Sequence, residues 1–439
     1  MAERSHHRRV ESPYTHTGGS QSPPTPQQEL GGPPVSTAAR TGPDGAREAT
    51  GPLPRTERAL APDLARGLAL LGIALANAPL HLTGMALGPG FRPEEAGPAD
   101  RAVDAVVGTF VDNRAFPVFT ALFAFGLVVM ARRMWASGLP WPRARAVLLR
   151  RCAWLAVFGL AHGVLLFDGD ILLSYGVLGL GVVGLWLRAS DRALLWWGAV
   201  GLVVATGFAA FDGLSTPAVG DSLFGISKST FTGGLLLRGI GAPVLLAVTP
   251  LLVLVLLPPA VLGLLAARRG VLERPEQHLP LLRRVTLVGI TVSVLGALPL
   301  VAASLQLVTW PTWADAASAA LHGLTGLAGA AAFLAGVAWF AAVRGTAGPV
   351  VGVLVAVGRR SLTCYLLQSV VVVPVLAPWG LGLGDGTGTA VASLVGVGAY
   401  LLGVVAAVAL ERAGRPGPAE ALLRRLTYGH RTRPGDHPR

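Results

Sequence analysis

Arg58-Ala-Leu-Ala-Pro-Asp63-Leu-Ala-Arg66-Gly67-Leu-Ala-Leu-Leu-Gly72-Ile-Ala-Leu-Ala-Asn77-Ala-Pro-Leu-His81 is the stretch on which the reading of this chain turns. From Leu64 to Pro79 it is apolar except for one arginine near its start and one asparagine near its end. It reads as a first membrane span with an Asp/Arg pair where it begins and an Asn and a His where it ends. Polar and ionisable groups at the ends of a span cost free energy to keep there, so they mark a candidate site.

The rest of the composition agrees with a membrane reading. The chain is 52% hydrophobic and 14% charged, with a mean hydropathy of +0.57, whereas a soluble domain carries about a quarter of its residues as charges. The net charge of +12 and pI of 11.0 invite a nucleic-acid reading. The basic residues instead sit between apolar spans, where they orient helices, and nucleic acid is set aside as a partner. Arginine outnumbers the single lysine, Lys228, by 35 to 1, a bias expected of a GC-rich bacterial genome. Cys152 and Cys364 lie inside apolar spans and read as packing residues.

Residues 1–57 are rich in Pro, Gly, Ser, Thr and Arg and lack apolar periodicity, so a disordered cytoplasmic tail is expected, with another at 431–439. The first apolar run begins beyond residue 60, too late for a cleavable signal. Between the tails, residues 58–430 form the transmembrane domain. Ten spans of membrane length are expected, at 64–82, 115–131, 147–167, 171–187, 193–211, 240–266, 285–305, 319–343, 361–378 and 390–410. Ala99–Phe110 is amphipathic and suits the interface. Gly348–Gly358 is a candidate re-entrant piece.

The arginines test this count. With the N-terminus inside, the inner loops hold Arg132, Arg133, Arg143, Arg145, Arg150, Arg151, Arg188, Arg192, Arg268, Arg269, Arg274, Arg283, Arg284, Arg344, Arg359 and Arg360, sixteen in all. The outer loops hold five: Arg92, Arg101, Arg114, Lys228 and Arg238. Such an excess on alternate loops is the positive-inside pattern. The expected fold is therefore an all-α polytopic bundle of about ten transmembrane helices, both termini cytoplasmic, in the plasma membrane.

Orientation turns the polar residues into a map. Asn77, His81, Asp112, Arg114, His162, Asp168, Asp170 and Tyr175 all fall near the outer surface, with His322 at the start of the eighth span. A second set falls inside: Asp63, Arg66, Arg359, Arg360, Glu411 and the segment Leu422–Gly429. Arginines there suit bidentate phosphate contacts to a cofactor, or lipid headgroups. Each outer residue also has a structural reading. His162 lies between Gly159 and Gly163 and suits a helix-to-helix hydrogen bond; Asp168 and Asp170 suit helix caps; Asp112 and Arg114 suit an ion pair. No Gly-rich phosphate loop, paired CxxC, HExxH or Gly-x-Ser-x-Gly elbow occurs.

Five stretches together resemble the YeiB-like family of bacterial membrane proteins, also called domain of unknown function 418. They are Asp63–Ile73 with Asn77, Phe116-Pro-Val-Phe-Thr-Ala-Leu-Phe123-Ala-Phe-Gly126, and Arg151–His162 continuing into Asp170-Ile-Leu-Leu-Ser-Tyr175-Gly. The last two are Gly358-Arg359-Arg-Ser-Leu362-Thr363-Cys-Tyr365-Leu-Leu-Gln368-Ser369 and Gly417–Gly429. The likeness covers about 58–430, with an acyltransferase-like part at 58–212 and the family's C-terminal part at 213–430. In its first spans the family is similar to membrane acyltransferases, including the enzyme that acetylates heparan glucosamine termini. These share an Asp-x-x-Arg-Gly opening, an Asn fourteen residues after the Asp, and a Phe-Pro-x-Phe start to the next span. Their loop histidine after that Asn serves as base; here His81 follows after four residues, closer than in that enzyme.

The resemblance implies an acyltransferase moving an acyl group from a cytoplasmic donor, with acyl-CoA the candidate, to a small-molecule or glycan acceptor at the outer face. His81 or His162 is then the base, Asn77 the oxyanion donor, and Asp112 or Asp170 the residue that orients the imidazole. Asp63, Arg66, Arg114, Tyr175, Arg359, Arg360 and Gln368 are the candidate donor and substrate contacts. No tightly bound cofactor and no metal are expected, and a homodimer is a compatible assembly. The rival reading is a small-metabolite transporter with His162, Asp170 and Arg114 as a proton relay. Against it, only the sixth span, with Pro243, Pro250, Pro258 and Pro259, is heavily interrupted.

Overall fold

The long apolar runs fold as helices because a helix satisfies every backbone donor and acceptor within its own segment, a necessity in lipid. The computed structural model describes residues 59–84, 87–167, 169–214, 230–345 and 348–429, all within the unit Thr41–Arg439. The tails expected at 1–57 and 431–439, and Asp168 and Lys228, lie outside the described residues.

In chain order the helices are α1 (Leu60–Asn77), α2 (Pro98–Phe110), α3 (Ala115–Ala136), α4 (Trp141–Leu165) and α5 (Leu172–Gly181). They continue with α6 (Asp191–Leu214), α7 (Phe231–Arg268), α8 (Leu279–Ser304) and α9 (Thr312–Arg344). The last are α10 (Pro349–Arg359), α11 (Ser361–Leu376), α12 (Thr389–Arg412) and α13 (Pro418–Tyr428). A 3₁₀ turn, Ala78–His81, extends α1, and a π segment, Val182–Trp186, extends α5. Two two-residue strands, Leu87–Gly88 and Arg92–Pro93, pair in the outer loop before α2.

The ten expected segments are present in three forms. Among the described residues, eight helical stretches are long and apolar enough to cross a membrane. The fourth expected span is shorter, Leu172–Trp186, roughly 22 Å at 1.5 Å per residue. The ninth is bent: α10 and α11 meet at 83°, so the re-entrant candidate 348–358 is a helix in its own right. The N–H groups freed at that corner are not left bare. Glu420 of α13 accepts from Leu362 N at 2.8 Å, Thr363 N at 3.1 Å and Thr363 Oγ1 at 2.5 Å, capping α11 with a carboxylate. The sixth span runs longer than the expected 240–266, as one helix of 38 residues with all four prolines inside it.

Contacts between segment ends agree with the alternation. Asp63 near the start of α1 and Glu411 at the end of α12 share Arg359, so the chain enters and leaves the bundle on one face, as ten crossings require. Arg132 at the end of α3 pairs with Glu273 beyond α7, and Asp191 at the start of α6 with Arg268. At the opposite face Arg238 of α7 donates to Val164 O at the end of α4 (2.9 Å), and Thr83 beyond α1 to Asp385 between α11 and α12 (3.1 Å).

Lipid supplies no hydrophobic drive between helices, so close backbone approach matters. α1 packs on α10, α8 on α9, α3 on α7 and α4 on α5. A Cβ on Gly358 would strike the Asp63 carbonyl, and one on Gly159 would strike the Leu173 nitrogen. Gly159 thereby lets the start of α5 lie directly against α4, one turn before His162. Large apolar side chains on α6, α7 and α8, such as Trp196, Val203, Leu236 and Leu295, are exposed on the outside of the bundle, where lipid is the expected solvent.

Candidate functional site

The end of α4 and the start of α5 build the centre. After Leu165 the chain reverses: the Leu166 and Phe167 nitrogens both donate to His162 O, at 2.9 and 3.1 Å. That turn brings Asp170 back over the helix, so near Gly163 that a Cβ on the glycine would meet the Asp170 Cβ at 3.7 Å. One Asp170 oxygen, Oδ2, accepts from Leu173 N at 3.0 Å and caps α5. The other, Oδ1, lies 2.7 Å from His162 Nδ1 and accepts from the Tyr365 hydroxyl at 3.2 Å. The His162 and Asp170 side chains are 3% and 1% exposed.

With Asp170 accepting, the hydrogen-bond network assigns the neutral imidazole its proton on Nδ1. Nε2 then presents a lone pair, and it is buried with no hydrogen-bond partner among the described residues. An imidazole nitrogen with a free lone pair, held in orientation by a carboxylate, has the chemistry of a proton acceptor.

A crevice adjoins this pair. Asn77 and His81 from the end of α1, Phe167 from the α4–α5 turn, and Tyr365, Gln368 and Ser369 on one face of α11 line it. Its free volume is about 10 Å³, room for a single water. Phe167 is the partition: its ring centroid lies 5.0 Å from that of His81 and 6.4 Å from that of His162. Tyr365 also packs against the His162 imidazole, at 5.4 Å between ring centroids. Gln368 donates to Leu70 O at 3.1 Å and pins α11 to α1. Tyr175 faces α3: its hydroxyl donates to Phe116 O (3.1 Å), accepts from Thr120 (3.3 Å), and its ring stacks on Phe123.

The outer polar residues expected at one depth therefore divide into two networks. Asp170, and not Asp112, orients His162. Asp112 pairs with Arg92, which also lies 3.4 Å from Asp104. Nor do Asp112 and Arg114 form the ion pair expected of them. Arg114 donates instead to Asp112 O (2.6 Å), Ser293 Oγ (3.0 Å) and Ser293 O (2.9 Å), and lies against His322. His322 is held in turn by Asn113 and by Gly108 O. This second network ties the α2–α3 corner to α8 and α9.

At the inner end, Arg66 pairs with Asp63 at 3.0 Å and donates to Leu122 O at 3.1 Å. Arg359 bridges Asp63 and Glu411, at 3.5 and 3.3 Å. Arg360 binds Glu411 at 2.8 Å and donates to Arg415 O at 2.6 Å. Their guanidinium groups are thus engaged by carboxylates and carbonyls, an arrangement that staples α1, α10 and α12 together. Among the described residues no three His, Cys, Asp or Glu side chains converge as metal ligands.

Tyr365 and Phe167 escaped the sequence reading as site residues. Tyr365 had a usable signal: with Gln368, Ser369 and Val372 it keeps the i, i+3, i+4, i+7 spacing of one helix face. Phe167 had none, because its place between two histidines depends on the turn.

Comparison with known proteins points to the same family. Residues 266–430 match the family described as Protein of unknown function (DUF418). The Uncharacterized protein YxaH of Bacillus subtilis (strain 168) is 27% identical over 395 residues, covering 83% of this chain and 93% of YxaH. The Uncharacterized protein YeiB of Escherichia coli (strain K12) is 32% identical over 127 residues, 28% of this chain and 30% of YeiB. No solved structure matches the chain.

Proposed function

We propose that this chain, which belongs to the YeiB-like DUF418 family, is a membrane acyltransferase whose general base is His162. The observation that carries the reading is the buried, unpartnered Nε2 of an imidazole whose Nδ1 is held by Asp170. The acceptor's hydroxyl proton passes to Nε2 as its oxygen bonds to the acyl carbonyl carbon of a thioester donor. The carbon–sulfur bond then breaks, and Nε2–H returns the proton to the departing thiolate. Asp170 stabilises the imidazolium between the two transfers. Asn77, at the crevice, supplies the amide N–H for the oxyanion.

The described form is closed. A crevice the size of one water admits no acyl group, so turnover requires Phe167 to swing away from between the crevice and His162. Asn77, Gln368 and Ser369 beside it are neutral polar groups, which favours a neutral acceptor. The inner arginines take a structural role in this reading, because Asp63 and Glu411 already occupy them.

The test uses purified full-length protein with short-chain acyl-CoA donors and a panel of hydroxyl and amine acceptors. Transfer or donor hydrolysis that disappears in His162→Gln, with fold intact, is the expected result. Undiminished turnover in that variant, or no binding of any acyl-CoA by the native protein, overturns the proposal.

One observation favours a transporter as the second reading. α11 carries Tyr365, Gln368 and Ser369 and begins at the 83° break after α10. Discontinuous spans beside buried ionisable groups are a transporter device. Proton-coupled uptake into vesicles, abolished by the same His162→Gln change, would favour it.

A further inference from the structure

A groove on the described surface lies away from this site, at the inner end of the α8–α9 pair. It has a volume of about 670 Å³, within the range of small-molecule sites. Arg283 and Arg284 lie one turn into α8, with Leu279 and Pro280 lining the groove before them and Leu287, Val288 and Trp339 lining the rest. Arg101 of α2 donates to Leu305 O just past the other end of α8, at the outer face. The two arginines therefore belong to the inner one.

Many inner arginines are already paired: Arg66 with Asp63, Arg132 with Glu273, Arg268 and Arg269 with Asp191, Arg359 and Arg360 with Glu411. Arg283 and Arg284 are exposed and have no carboxylate partner among the described residues. Two adjacent guanidinium groups make a strong phosphodiester receptor. Beyond them the outward face of α8 is apolar and open to lipid: Leu287, Val288 and Leu295 are 53, 56 and 61% exposed. From Arg284 to Leu295 the helix rises roughly 17 Å at 1.5 Å per residue, about half the ~30 Å hydrocarbon core. Trp339 lies on α9 five residues before Arg344 closes that helix, at the level where indoles meet headgroups.

We propose that this groove is a binding site for an anionic phospholipid of the inner leaflet. Its phosphate rests on Arg283 and Arg284, and one acyl chain runs along Leu287 and Val288 beneath Trp339. A free phosphate would use the arginines and leave the apolar floor uncovered, so the lipid is the occupant the whole groove fits. The proposal does not depend on the acyl-transfer reading, since the site would serve a transporter equally.

Native mass spectrometry of the purified full-length chain in neutral detergent, titrated with phosphatidylglycerol or phosphatidylcholine, tests it. The native protein is expected to retain phosphatidylglycerol preferentially. Each basic residue near a membrane surface is worth about a fivefold change in affinity, so Arg283→Gln/Arg284→Gln weakens binding about thirtyfold. Val288→Trp, which fills the groove and keeps both arginines, also weakens it. Arg143→Gln/Arg145→Gln, a second exposed inner pair outside the groove, leaves binding unchanged. Equal retention of phosphatidylcholine, displacement of the lipid by millimolar inorganic phosphate, or an equal loss in the Arg143/Arg145 variant would each overturn the proposal. So would undiminished binding in either groove variant.

Discussion

Asp170→Asn probes the centre most directly, because the substitution keeps the shape of the side chain and changes what it can accept. Asp170 receives three hydrogen bonds, from His162 Nδ1 at 2.7 Å, Tyr365 at 3.2 Å and Leu173 N at 3.0 Å. An asparagine whose oxygen keeps the cap on Leu173 must turn its amide nitrogen toward His162 and Tyr365. Nδ1 then becomes an acceptor, and the ring proton moves to Nε2. That atom has no partner among the described residues, so a buried N–H is left unsatisfied, at about 1–3 kcal/mol. Loss of the charge-assisted bonds adds a comparable amount, for a total of about 3 kcal/mol. Activity falls further than stability, because Nε2–H cannot accept a proton; the general-base contribution at stake is about 10²–10⁴ in rate. A double-mutant cycle with His162→Gln, read by unfolding in mixed micelles, should give a coupling of about 2 kcal/mol for a pair in direct contact. Additivity within about 0.5 kcal/mol would refute the dyad.

Three further outcomes are expected. Tyr365→Phe keeps the ring on His162 and removes one donor to Asp170, costing about 1 kcal/mol in the same unfolding measurement; a loss as large as that of Asp170→Asn would mean Tyr365 does more than donate. Arg92→Ala strands the buried carboxylate of Asp104 and the half-buried one of Asp112 and should cost about 3 kcal/mol, seen as lost folded yield that Asp112→Asn partly restores. Gly358→Ala drives a Cβ into the Asp63 carbonyl and should destabilise by about 1–3 kcal/mol. Gly352→Ala on the same helix meets no atom within 4 Å and should be neutral in the thermal melt.

The value of the local signals varied from residue to residue. The uncharged runs and the arginine bias were enough for the number and alternation of segments, because both reflect single-chain transfer energies that need no partner. Asp170 was readable as a cap from its place at the start of α5. Its second role, holding His162, needed the reversal at Leu166–Phe167. The inner arginines show the opposite case. Their residue type suggested phosphate contacts, yet Asp63 and Glu411, 348 positions apart in the chain, converge on Arg359 and occupy it.

The sequence by itself determined an all-α membrane bundle, its ten segments, and which described polar residues share an end of the bundle. These come from hydropathy along one dimension, where each residue's transfer cost is nearly independent of its neighbours. Only the tertiary structure decided that Asp112 and Arg114 join Arg92, Ser293 and His322, while Asp170 joins His162 and Tyr365. The reason is geometric: depth in the membrane is set by position along a helix, whereas partnership is set by the rotation of each helix about its axis. That rotation depends on which glycine lets which backbone approach, as Gly159 does for Leu173 and Gly358 for Asp63, and small-residue packing of this kind is settled between helices rather than within them.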